Sequence, residues 1–115
     1  MARPIRNSAV ARGTDNSVNV DLLVYTVPAD TVLLLKAVFI TDTATQPTHV
    51  WVTLFDAFEG GNAYVINQII PAGQTVQWQG WVALNPTDSI HVFTDTRPVK
   101  YWIAGALLPF NPAIQ

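Results

Sequence analysis

The chain has 115 residues, of which 50% are hydrophobic and only 12% charged; its formal net charge is −2 and it contains no Cys. A disordered chain is excluded, since that needs low hydrophobicity and high charge, and so are disulfides and thiolate chemistry. Uninterrupted apolar stretches, such as Leu22–Tyr25 and Val32–Leu35, fall far short of the roughly 20 residues of a membrane helix. The opening MARPIRNSAVARG lacks an apolar segment, so no signal peptide is expected.

Residues 1–17 are small and polar, with Pro4 and Gly13, and carry Arg3, Arg6 and Arg12 before the first acid. They read as an extended basic arm ahead of an acidic body. An arm of this kind fits an acidic partner surface, with Ile5 and Val10 adding apolar contact. From Val18 the pattern changes to strands. Val18–Val27 stops at Pro28-Ala29-Asp30, and Thr31–Thr41 is dense in β-branched residues. Thr48–Asp56 alternates and ends at Glu59-Gly60-Gly61-Asn62. Ala63–Ile70 ends at Pro71-Ala72-Gly73, and Gln74–Leu84 at Asn85-Pro86-Thr87-Asp88. Ser89–Asp95 is short, and Val99–Leu108 runs to Pro109 and Pro112. Pro cannot donate to a ladder and Gly supplies unusual φ, so these junctions end strands for physical reasons. The expectation is one all-β domain over 18–108, a jelly-roll-like antiparallel β-sandwich of seven or eight strands. An arm (1–17) precedes it and a proline-rich tail (109–115) follows.

Neighbouring side chains on a strand face opposite sides. Val50, Val52 and Leu54 therefore share one face of their strand, and His49, Trp51, Thr53 and Phe55 the other. Trp78 falls on an apolar face with Val76, Val82 and Leu84. Trp81 and Trp102 fall on mixed faces. Large aromatics on polar faces point to contact with something else, so Trp51, Phe55, Trp81, Trp102 and Phe110 are the interface candidates.

Chemistry has little foothold. No G-x-S-x-G elbow surrounds Ser8, Ser17 or Ser89, as nucleophilic catalysis would lead one to seek. Ser89 and His91 share a face with Asp88 and Asp95 near them in sequence, which reads as ordinary strand-end polarity. Two His residues 42 positions apart are not a metal-binding pattern. Neither phosphate-binding glycine motif is present. Lys36, Arg97 and Lys100 are the only basic residues after the arm, which argues against nucleic acid except through the arm itself. No enzyme, cofactor or metal is expected.

Four segments carry a family resemblance. The run Leu23–Thr43, LVYTVPADTVLLLKAVFITDT, resembles the opening of sandwich proteins found in the virions of tailed bacteriophages, with Asp42 where Asn is more usual. Ile70–Thr75, IPAGQT, is similar to a recurring turn in them. Val82–Val92, VALNPTDSIHV, resembles another, with Thr87 where Gly is expected. Tyr101–Leu107, YWIAGAL, resembles their closing strand. The resemblance implies a structural virion protein with no catalytic residues, a head decoration or cement protein or a minor head, neck or tail component. The expectation is a homo-oligomer, with a trimer favoured, bound to the major capsid or another virion protein, made in the host cytoplasm and free of membrane. The alternative is a tail, neck or fibre module whose Trp-bearing faces recognise a host-surface glycan.

Overall fold

The computed structural model describes residues 8–109, and these form eight strands and no helix. They are β1 (Ser8–Asp15), β2 (Leu22–Thr26), β3 (Thr31–Asp42), β4 (Thr48–Phe55), β5 (Asn62–Ile70), β6 (Thr75–Leu84), β7 (Ser89–Thr94) and β8 (Val99–Pro109). The first sheet has the order β1-β8-β3-β6 and the second β2-β7-β4-β5. Every pairing is antiparallel. Eight strands in two four-stranded sheets with these crossings make a double-sheet jelly roll.

Period-two alternation fills the space between the sheets. Leu33, Leu35, Val38 and Ile40 of β3 meet Val50, Val52 and Leu54 of β4, with Ile90, Val92, Val99 and Ile103 completing the core. Trp78 packs against this core from β6. The inward phase of β3 shifts between Leu35 and Val38 because Lys36 is bulged out. From Leu35 to Ala37, β8 advances one residue, β3 two and β6 three, and this growing mismatch bends the sheet.

The turns explain the junctions. Gln74 N–H donates to Pro71 O at 3.1 Å with Gly73 at φ 71°, and Asp88 N–H donates to Asn85 O at 3.1 Å with Thr87 also at φ 71°. Both match a type II turn, whose third residue needs positive φ. The Asp88 carboxylate secures the second turn by accepting from Asn85 N–H (2.8 Å), and it holds the β4–β5 loop by accepting from Ala57 N–H (3.0 Å).

Two boundaries differ from the sequence expectation. Ser8–Asp15 is not part of a free arm; it is an edge strand paired with β8 from Ser8↔Gly105 to Asp15↔Val99. Only Val10, Ala11 and the buried Asp15 turn toward the interior, too few to show as an apolar period. Pro109 belongs to β8 rather than to a tail. Arg3, Ile5, Arg6 and Phe110 lie outside the described residues.

Candidate functional site: the two outer sheet faces

Outside the core, alternation leaves each sheet an outer face carrying aromatic side chains. On the first sheet, Arg12, Trp102, Phe39 and Gln77 stand in one row across β1, β8, β3 and β6. The Arg12 guanidinium lies 4.9 Å from the Trp102 ring centroid, a cation–π contact. A shallow depression of about 580 Å³ runs beside it, edged by Thr14, Thr41 and Lys100. Trp102 is 44% exposed and Trp81, on edge strand β6, 69%. Arg12 and Val10, expected on a partner, are engaged within this chain: Arg12 on Trp102, and Val10 against the core.

The second sheet carries a larger open groove of about 700 Å³ across β2, β7, β4 and β5, with Trp51, Phe55, Tyr64, His91, Phe93 and Asp21 among its lining. Trp51 and Phe55 are half-buried within it rather than freely exposed. Trp51 is fixed on two sides, by a parallel stack with His49 at 3.8 Å and an edge contact with Phe93 at 5.2 Å. A hydrogen bond of 2.7 Å between His49 Nε2 and Asn67 Oδ1 holds that stack across to β5. The aromatic wall is therefore pre-formed, whereas the Tyr64 ring on the edge strand is 62% exposed.

One polar chain crosses the groove. Ser89 Oγ lies 2.9 Å from His91 Nε2, and His91 Nδ1 lies 2.9 Å from Asp21 Oδ2. The carboxylate comes from the loop before β2. Asp88 and Asp95, the acids nearest in sequence, are bound to main-chain amides instead. The connectivity is that of a nucleophile, a base and an orienting acid. Hydrolysis also needs main-chain donors preorganised for a developing oxyanion. Ser89 pairs with Thr26 on one side and Phe55 on the other, so the strands around it are committed to ladders. Asp21 is 63% exposed, where solvent weakens its hold on the imidazole. The chain acts as a clamp fastening the start of β2 to β7, and no reaction step follows from it. Among the described residues no three His, Asp or Glu gather into a metal-binding cluster.

At one end of the sandwich a polar knot ties β4 to the β7–β8 turn. Thr48 and Thr94 hydroxyls meet at 2.7 Å, and Thr48 Oγ1 also accepts from the amides of Thr96 and Arg97. The Asp95 carboxyl is held below its usual range chiefly by the Thr96 hydroxyl, with the His49 amide assisting. Asp15 moves the other way. Burial pushes its carboxyl up, partly offset by the Ser17 amide.

No known family profile matches this sequence, and no curated protein does. The fold does have relatives among solved structures. It is similar to a chain of Bacillus endospore appendages, described as a novel family of disulfide-linked pili (TM-score 0.55, 12% identity, 93% of this chain and 89% of that one). It is also similar to chains of infectious bursal disease virus. One is from the T13 viral particle (TM-score 0.52, 10% identity, 96% of this chain and 40% of that one). Another is from the Gt strain (TM-score 0.50, 11% identity, 90% and 31%). The chain thus spans well under half of those viral chains. At such identities the likeness is one of fold.

Proposed function

We propose that this protein is a structural subunit of a virion, a jelly-roll module that docks on the head lattice of a tailed phage as a decoration protein and does so as a homo-oligomer. The observation that carries the reading is the pair of opposed outer faces, one built on Trp102 and Phe39 and the other on Trp51, Phe55 and Phe93. A subunit that both joins its own copies and docks on a lattice needs more than one contact surface. The capsid and pilus chains of similar fold agree with this role. The tailed-phage assignment rests on the sequence resemblance of Leu23–Thr43, Ile70–Thr75, Val82–Val92 and Tyr101–Leu107. Cross-linking of the disulfide-linked kind is not open to a chain without Cys. Labelled electron microscopy of purified particles is the test. Label in a regular array on the head supports decoration, and label confined to the tail or absent from particles overturns it.

The second-sheet groove favours one other reading, a tail or fibre module that binds a glycan. Its fixed aromatic wall can stack on a sugar ring, and Asp21, His91 and Asn62 can bond hydroxyls. Titration of intrinsic fluorescence with host-surface oligosaccharides decides it. A response abolished by Trp51→Ala supports the tail reading, and a flat titration into the millimolar range removes it.

A further inference from the structure

The charged residues are unevenly placed around the sandwich. Between Glu59 and Asp88 the sequence contains no Asp, Glu, Lys, Arg or His. That stretch builds β5 and β6 and the turn joining them. β5 is the edge of the second sheet and β6 the edge of the first, and the tight Pro71–Gln74 turn keeps both on one side of the molecule. One long side of the sandwich is therefore made of two edge strands without a charge. The opposite side differs: β1 carries Arg12 and Asp15, and Asp21 immediately precedes β2.

An edge strand presents unpaired N–H and C=O groups, and soluble proteins shield such edges with Lys, Pro, bulges or shortness. β6 has ten residues and no Pro. Its one irregularity is at Gly80–Trp81, which leaves Thr75–Gln79 in unbroken register with β3. The exposed side chains there are Thr75, Gln77 and Gln79, with Trp81 standing out beyond them. Tyr64 and Ile69 are each 62% exposed on neighbouring β5.

We propose that this side is a homotypic interface, in which β6 of one copy pairs antiparallel with β6 of a second copy about a two-fold axis centred on Gln77. The proposal rests on the assembly reading above and names its surface. The partner is a second copy because of what two-fold pairing demands. An isologous contact sets each residue against its own equivalent or a symmetry mate, so a charge near the axis would meet its like at close range. The uncharged side meets that demand, and the charged side does not. Pairing continues the first sheet from four strands to eight and satisfies the free β6 backbone groups. Gln and Thr side chains meet directly across the axis, as cross-strand pairs do. The contact closes a dimer, in place of the trimer expected from the sequence.

The test is the mass of the full chain by light scattering over a concentration series, with variants at the axis. Wild type should dimerise or build larger even-numbered assemblies. Gln77→Lys and Gln77→Glu should each raise the dissociation constant roughly tenfold or more, since like charges directly opposite destabilise a pair. Raising salt to about 1 M should recover much of that loss by screening, which a misfolded variant would not do. An equimolar mixture of the two variants should regain wild-type mass, because Lys then faces Glu. Asn16→Lys, in the exposed loop between β1 and β2 on the opposite side, should leave the mass unchanged. A wild-type chain that is monomeric throughout overturns both this interface and the homo-oligomer. A wild-type oligomer indifferent to both Gln77 variants overturns the interface alone. Variants that weaken assembly but do not complement one another overturn the two-fold register.

Discussion

Thr87 and Gly73 occupy the same position of the same kind of turn, yet only one of them is glycine. Both sit at φ 71°, where a β-branched side chain is strained and Gly is not. Thr87 is exposed and its amide already donates to Val27 O, so a smaller residue loses little contact. Thr87→Gly should therefore stabilise the protein, by about 0.5–1 kcal/mol after the added freedom of the unfolded chain is set against relieved strain. Chemical denaturation with an unchanged slope would check it. Asp15 is a second strained residue, in the electrostatic sense. Its buried carboxyl has one oxygen bonded to Ser17 N–H and the other without a partner among the described residues. Folding favours the protonated form, so stability is withdrawn as pH rises from the ordinary Asp range, near 4, through the raised value. Asp15→Asn should melt above wild type at neutral pH, and the gap should close on acidification below about 4. Asp95, held low, runs opposite: its contribution is present at neutral pH and lost as pH falls through its depressed value.

Among the elements, β8 and β3 are the central pair of the first sheet, and Gly105 of β8 lies tight against Leu34 of β3. A methyl group built on Gly105 would stand 2.3 Å from Leu34 O, so the strands would have to part. Gly105→Ala should cost about 1–3 kcal/mol, the scale of overpacking, read as a lowered melting temperature. The outer edge behaves differently. Arg12→Ala removes a contact with Trp102 worth about 0.5–1 kcal/mol at an exposed site, and should speed amide exchange in β1 while β3 and β4 stay protected. The elements differed in how readily their sequences betrayed them. β4 alternates without a break, so the run from Thr48 and its two faces are plain from the residues, with the expected end at Asp56 one residue past Phe55, and Trp78 packs against the core as its apolar face implies. β1 was not legible: a bulge at Val10 and the small residues Ala9 and Gly13 leave no period to detect. The Val18–Val27 run overshot β2 because Val18 and Val20 sit in a loop turned by Asn19 at φ 61°. The aromatic outer face of β4 could be read from alternation. Its union with Tyr64 and Phe93 in one groove could not, nor could the Asp21–His91 clamp, whose partners are 70 residues apart.

At the scale of the molecule, β1 changes how an arm must be tested. Removing residues 1–17 would strip an edge strand from the first sheet and lay β8 bare. Deletion of residues 1–7 alone takes Arg3, Ile5 and Arg6 and spares the whole of β1. That variant should fold with an unchanged all-β circular dichroism spectrum and bind particles more weakly, as measured by co-sedimentation. Equal binding would make the segment passive.

The strand order has a consequence for synthesis. Only β4 and β5 are neighbours both in sequence and in a sheet. β1 must wait for β8, β2 for β7 and β3 for β6. At about 5–20 residues per second, β1 leaves the ribosome on the order of ten seconds before its partner exists. Pairings this distant also close slowly, on a scale of milliseconds to seconds. For the last part of that interval the uncharged β5 and β6 segments are already made, with no finished sandwich behind them and many identical segments on neighbouring ribosomes. The nascent chain is thus most adhesive before it is complete, so yield in a cell should depend on chaperone supply and on the rate of translation more than on the stability of the finished fold.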